Sequence, residues 1–199
     1  VISRFQIDKV YHAAAYKHVH LVEENIISGV RNNVLGTLNL VNSIRRSPVE
    51  ELVLISSDKA VHPKNVMGAT KRLAEMIVLN FAEKESSKIF SLVRFGNVMR
   101  SSGSVIPLFE DQIRNGGPVT VTDGRATRYF MTSLEASQLV IQASAMAKGG
   151  EIFVLDMGAP IRIETLAKKM IHLHGKSFVG EREANDRENE IEIKYTGLR

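Results

Sequence analysis

The sequence predicts a doubly wound α/β fold, a parallel sheet with helices on both faces. Three observations predict it. Short β-like runs alternate with longer helical stretches along the chain. The clearest of those runs, Leu52-Val53-Leu54-Ile55, is apolar throughout, as a strand covered on both faces requires. Small and polar residues gather where the runs end, at 13–15, 56–59 and 96–103, the places where such sheets position ligands.

Taken in order, residues 8–15 read as a strand entering a small-residue loop, Ala13-Ala14-Ala15. Over 21–46, Val30, Val34, Leu38 and Val41 recur at helical spacing, with a break expected near Asn25. The strand 52–55 ends at Ser56-Ser57. A helix follows over 67–84, with Leu73, Met76, Ile77 and Phe81 expected on one face. Residues 90–95 form the next strand, 96–103 a loop and 105–114 a helix. Gly116-Gly117-Pro118 is a turn, and 118–122 is strand-like. Ser133 opens a helix to about 147, with Glu135 in its first turn. Strand 152–155, helix 163–174, a polar surface loop over 180–190 and a last strand over 191–195 complete the chain.

Composition narrows the function classes. The 199 residues, 44% hydrophobic and 24% charged, suffice for a sizeable core. The net charge of +4 is spread along the chain with acidic residues interleaved, and no nucleic-acid-binding signature accompanies it, so no nucleic-acid partner is expected. The chain has no cysteine, which excludes disulfides and thiolate chemistry. It has no apolar run of eighteen residues, so no membrane contact by this segment is expected. The histidines do not group with carboxylates at ligand spacing, and no metal is expected.

No glycine-rich G-x-G-x-x-G loop occurs. Either the protein binds no dinucleotide, or the sequence begins partway through its fold. The following sites favour the second reading.

The chemistry-bearing segment is Ser56-Ser57-Asp58-Lys59, followed by Met67-Gly68-Ala69-Thr70-Lys71. It sets Ser, Asp and Lys at a strand exit and a second Lys in the next helix, on the face of Met67. Neighbouring side chains diverge on a strand, so Asp58 and Lys59 can share one substrate only if the chain leaves strand geometry by Asp58.

HAAAYKHV, NNVLGT, ISSDKAVHPKNVMGATKR, VRFGNVMRSSGSVIPLF, TRYFM and FVLDMGAP, in this order, resemble the polysaccharide-biosynthesis nucleotide-sugar 4,6-dehydratases called CapD-like or WbpM-like. The resemblance runs from Asp8 to the end of the chain. It implies a Rossmann-like, extended short-chain dehydrogenase/reductase fold, incomplete at the N-terminus, with a smaller C-terminal substrate-binding portion. Residues 1–96 and 133–148 would be the C-terminal part of the NAD(P)-binding domain. Residues 97–132 and 149–199 would be the substrate-binding portion.

The activity implied is a UDP-N-acetylglucosamine 4,6-dehydratase that makes a 4-keto-6-deoxy sugar nucleotide for surface polysaccharide. NADP or NAD would be the cofactor, a UDP-sugar the substrate and a homo-oligomer the assembly. The location would be cytoplasmic, with the full-length protein anchored at the inner face of the membrane. By resemblance Asp58 is the acid at the departing 6-hydroxyl, Lys59 the base at C5, and Ser57 a hydrogen-bond partner of the 4-oxygen. Lys71 holds the nicotinamide ribose and favours proton loss at O4. Met67 stands where soluble relatives carry Tyr. Ala13, Ala14, Ala15 and Asn33 would serve the cofactor, and Asn97 and Arg128 the nucleotide sugar. A UDP-sugar 4-epimerase and a non-catalytic nucleotide-sugar-binding domain are the alternatives.

Overall fold

The computed structural model describes residues 2–179 and 189–197. The chain divides into two compact units: Val1–Gly96 with Glu135–Asp156, and Asn97–Leu134 with Met157–Arg199.

After a four-residue helix α1 (Ile2–Phe5), the first unit is built on a parallel sheet. Its strands are β1 (Lys9–His12), β2 (Glu51–Ile55), β3 (Ile89–Arg94) and β8 (Ile152–Val154), in the order β1-β2-β3-β8. Strand alternation sends Leu52, Leu54, Phe90 and Leu92 to one face and Val53 and Val93 to the other. The first set packs with Val41 and Ile44 of α4 (Gly36–Arg45) and with Ala74 and Val78 of α5 (Val66–Lys84). The second set packs with Val140 and Ala143 of α7 (Ser133–Met146). Both faces of the central strand β2 are therefore covered, which is why Leu52 to Ile55 read as an unbroken apolar run.

The stretch over 21–46, expected to be helical with a break near Asn25, is four pieces. Helix α2 (Val19–Glu24) stops at Asn25, whose φ of −131° is not helical, and α3 (Ile26–Val30) restarts the turn. Arg31–Leu35 is a π-helical segment that runs into α4. Asn25 is where the break was expected; the π segment is invisible to hydrophobic spacing.

Helix α5 corrects the expected face. Leu73 and Met76 are exposed, and the buried side is Met67, Gly68, Thr70, Lys71, Ala74, Glu75 and Val78. Ile77 and Phe81 do pack partly against the first core. The misplacement has a physical cause: small and polar residues occupy that side, so its apolar signal is weak.

In the second unit, β4 (Asn97–Val98) lies inside the stretch expected as a loop and pairs in parallel with β7 (Phe130–Met131). Strand β6 (Thr127–Arg128) pairs antiparallel with β9 (Ile161–Arg162). The last expected strand is two, interrupted at Glu192: β11 (Glu190–Ile191) pairs with β10 (Ser177–Phe178), and β12 (Ile193–Tyr195) with β5 (Val119–Val121). Helices α6 (Val105–Arg114) and α8 (Ile163–Leu173) enclose a core of Phe109, Ile113, Val119, Val121, Ala167, Met170, Ile171 and Ile191.

Residues 149–156, expected with the substrate-binding portion, belong to the first unit because β8 is the fourth strand of its sheet. The expected surface loop lies outside the described residues over 180–188, and Glu190 is in β11.

Candidate functional site

The site of the first unit is assembled at the carboxyl ends of β1, β2 and β3. Beyond β2 the backbone stays hooked to the exit of β3, with Ser56 N–H donating to Val93 O at 2.8 Å and Asp58 N–H to Phe95 O at 3.1 Å. Ser57 is still extended, at φ −151° and ψ 155°, and a 3-10 turn begins at Asp58 and runs to Ala60. Ser57 caps that turn by accepting from Lys59 N–H at 3.2 Å. The chain thus leaves strand geometry where convergence of Asp58 and Lys59 requires it. Lys59 Nζ lies 3.0 Å from Asp58 Oδ1, and Ser57 Oγ donates to the same oxygen at 2.9 Å. Both charged side chains keep contact with solvent, at 44% and 33% exposure, so incoming substrate can reach them.

The first turn of α5 grips this 3-10 turn. Asn65 caps the helix by accepting from Gly68 N–H at 2.7 Å. A Cβ on Gly68 would meet the carbonyl oxygen of Lys59 at 2.5 Å, so only glycine permits this approach. Met67 is 3% exposed, a core side chain that offers no exchangeable proton. Lys71, one turn on, is buried and donates to Ile55 O at 2.6 Å, at the very end of β2. Burial pushes its ammonium down to about 8, with Glu75 pulling the other way.

Glu75 is a residue that sequence reasoning missed. It is fully buried, and four donors surround its carboxylate. Ser56 Oγ donates to Oε1 at 2.5 Å; Arg94, at the end of β3, donates from Nε at 2.8 Å and from Nη2 at 2.6 Å; Arg72 Nη1 donates at 3.0 Å. Burial alone would push the Glu75 carboxyl up, but the hydrogen bonds from Arg94, Ser56 and Arg72 outweigh it and hold it below the ordinary value. The available signal was two charges, Glu75 amid apolar helix positions and Arg94 closing an apolar strand, each of which needs a partner if buried.

Asn33 is also buried, on the π segment. Its side chain takes both backbone groups of Tyr16, accepting from N–H at 2.7 Å and donating to O at 3.0 Å, and donates to Thr70 Oγ1 at 2.9 Å. The loop after β1 is thereby tied to α5. Thr37 donates to Asn33 O and pairs with His12 Nε2 at 3.0 Å. Burial, followed by the nearby Lys71 charge, pushes the His12 imidazole down. Ala13 and Ala14, just beyond β1, are exposed and Ala15 half-buried. The structure thus brings Ser57, Asp58 and Lys59 together on one turn beside Lys71 and Met67, and links Asn33 to the same helix.

Asn97 and Arg128 belong to the second unit. Asn97 N–H donates to Tyr129 O at 3.1 Å, and Arg128, exposed on β6, donates from Nη1 to Thr127 O at 2.7 Å. Among the described residues no group of three or more His, Asp or Glu side chains could hold a metal ion, and no helix is long and apolar enough to cross a membrane.

Comparison with known proteins places the chain in a family. CapD of Staphylococcus aureus, described as a capsular polysaccharide biosynthesis protein, is 53% identical over 199 residues, which is all of this chain and 32% of CapD. The chain therefore spans about a third of that relative. The solved structure of Pen from Bacillus thuringiensis superposes with a TM-score of 0.84 at 40% identity, over 96% of this chain and 57% of Pen. The UDP-glucose 4-epimerase of Thermus thermophilus, solved with NAD, has a TM-score of 0.84 at 20% identity over all of this chain and 68% of that one, and shares the Rossmann-like fold. The profile of the family described as polysaccharide biosynthesis protein matches residues 1–199, and the chain belongs to that family.

Proposed function

We propose that the chain carries the catalytic turn of a nucleotide-sugar 4,6-dehydratase acting on UDP-N-acetylglucosamine or a related UDP-amino sugar. The observation that carries this reading is the Asp58–Lys59 pair on its 3-10 turn, at 3.0 Å. Hydride exchange alone needs no such pair, whereas loss of water needs an acid at O6 and a base at C5.

The proton balance of the pair closes. Transfer of one proton from Lys59 Nζ to Asp58 Oδ1 turns the ion pair into a neutral amine beside a carboxylic acid. Substrate that excludes water from this half-exposed turn favours the neutral form, because desolvation penalises both charges. Lys59 then takes the C5 proton while Asp58 gives its proton to the departing 6-hydroxyl, so water leaves and the ion pair is restored. Ser57, which points at Asp58 through a 2.9 Å hydrogen bond, can donate to the sugar 4-oxygen instead. Lys71 supports loss of the 4-hydroxyl proton to solvent by its charge. When hydride adds at C6, the recharged Lys59 returns a proton to C5, and solvent restores one proton to the pair, so the net change is loss of one water.

The residues fit a nicotinamide dinucleotide. Ala13, Ala14 and Ala15 end β1 with nothing larger than a methyl group, and Asn33 fixes the backbone at Tyr16 just beyond. Lys71 would take the ribose. When bound, NAD or NADP would supply hydride exchange at C4 and C6 of the sugar, and the 4-ketone so formed would acidify the C5 proton. The NAD in the Thermus structure supports this assignment by fold. Asn97 and Arg128 are assigned to the nucleotide sugar, Arg128 because a guanidinium suits a diphosphate.

The test is Asp58→Asn in the full-length protein with UDP-N-acetylglucosamine. The keto-deoxy product should form about 10²–10⁴-fold more slowly. A rate within about tenfold of the parent removes Asp58 from the role of acid. The second reading, a UDP-sugar 4-epimerase, draws on the shared fold; it conserves product mass where dehydration loses water, so mass spectrometry separates them.

A further inference from the structure

We infer that Glu75, locked to Arg94, is the positioning residue that fixes the catalytic turn to Lys71. The role rests on the reaction proposed above, but the geometry that assigns it does not. Glu75 and Lys71 are four residues apart on α5 and both face inward. They grip consecutive residues of one strand exit, Lys71 through Ile55 O and Glu75 through Ser56 Oγ. The residue after Ser56 caps the turn that carries Asp58 and Lys59. Arg94 clamps the same carboxylate from the neighbouring strand with two hydrogen bonds, and the backbone of that strand exit holds Ser56 and Asp58. One carboxylate therefore joins α5, β2 and β3 directly beneath the reacting groups. A purely structural ion pair would have no need to bond the strand exit next to the catalytic turn.

The charged and titratable groups that interact with Lys71 are Glu75 on α5 and His12 on β1, and Glu75 is bound in turn by Arg72 and Arg94. Of these, Glu75 supplies the attraction that opposes the effect of burial on the Lys71 ammonium. Its neutralisation removes that attraction and leaves the cost of burial unopposed, so Lys71 should lose its proton more readily.

The experiment uses the full-length protein and two variants, Glu75→Gln and the milder Ser56→Ala, which removes one hydrogen bond and leaves the ion pair intact. Lysine labelled with ¹³C at Cε gives the Lys71 titration midpoint by NMR, its signal assigned by loss in Lys71→Arg, with no dependence on turnover. For Glu75→Gln the midpoint should fall by about half a pH unit or more, which is a threefold change in acidity. For Ser56→Ala the midpoint should stay, while kcat falls about tenfold and KM stays within about twofold, because a small displacement of reacting groups costs rate rather than binding. An unmoved midpoint in Glu75→Gln, or kcat within about twofold of the parent in Ser56→Ala, overturns the proposal. If the parent forms no dehydrated product, the reaction assigned above falls, and the midpoint in Glu75→Gln alone decides whether Glu75 controls Lys71.

Discussion

Replacement of Lys71 by Met should change the pH dependence of stability more than its size. Lys71 is 8% exposed, and burial brings its ammonium from the ordinary 10.5 down to about 8. At about 1.4 kcal/mol per tenfold change in acidity, that fall corresponds to about 3 kcal/mol by which the folded state disfavours the charged form. Below pH 8 both folded and unfolded chains carry the proton, and the parent bears the whole cost. From pH 8 to 10.5 the unfolded chain still holds a proton that the folded one has released, so parental stability rises with pH. The Lys71→Met protein lacks this dependence. At pH 7 the substitution removes the cost of the buried charge but deprives Ile55 O of its donor, worth about 1–3 kcal/mol, so the net offset there is small. The difference between the two proteins should nevertheless swing by about 3 kcal/mol in the parent's favour between pH 7 and 10.5. Urea unfolding of both proteins at half-unit pH steps reads this directly, and groups that titrate alike in the two cancel. A difference that varies by less than about 1 kcal/mol over that span would refute the claim that Lys71 is a buried ammonium.

Gly68→Ala places a methyl group at 2.5 Å from Lys59 O, against backbone rather than a yielding side chain. A loss of about 1–3 kcal/mol in thermal unfolding is expected, together with a fall in turnover if the proposed reaction holds, because the turn that carries Asp58 and Lys59 must move. Asn33→Ala deletes the clasp on Tyr16 and the bond to Thr70 and should cost about 1–3 kcal/mol. Native-state hydrogen exchange should then show the Tyr16 amide losing protection more than those of β2; equal loss at both would mean that Asn33 acts on the fold as a whole.

The sheet was legible because it is buried on both faces. Leu52, Val53, Leu54 and Ile55 carry that signal alone, and Val105 to Arg114 is a helix with the bounds its spacing predicts. Legibility failed where burial is polar. The inward side of α5 mixes Met67, Ala74 and Val78 with Gly68, Thr70, Lys71 and Glu75, which dilutes its apolar signal, and periodicity pointed also to Leu73 and Met76, which are exposed. The π segment around Asn33 leaves no mark in hydrophobic spacing, because its purpose is to aim one amide at Tyr16 and Thr70. Two-residue strands such as β4 and β6 are fixed by partners distant in sequence and carry too few residues to show a pattern. The motif residues 57–59 and 71 could be named from their order, but the carboxylate that organises them could not. Glu75 has meaning only once Ser56 and Arg94 are known to meet it.

The 3-10 turn resolves a conflict that adjacent residues pose for acid–base catalysis. On a strand, Asp58 and Lys59 would project to opposite faces of the sheet, one toward each helical layer. On an α-helix they would stand about 100° apart with helical neighbours closing over them. A single 3-10 turn at the end of a strand separates successive side chains by about 120° while leaving the outer side open, and the long lysine stem spans the remaining angle to Asp58. Such a short turn makes few bonds of its own: Ala60 N–H to Ser57 O at 3.1 Å, Val61 N–H to Asp58 O at 3.2 Å, and the Ser57 cap. Its rigidity has to come from outside. Phe95 O holds it from β3, the bare backbone of Gly68 packs against it from α5, and Ser56 anchors its approach to Glu75. Each of these is a backbone contact or a buried polar bond, so none of them engages the Asp58 carboxylate or the Lys59 ammonium, the two groups the proposed reaction uses.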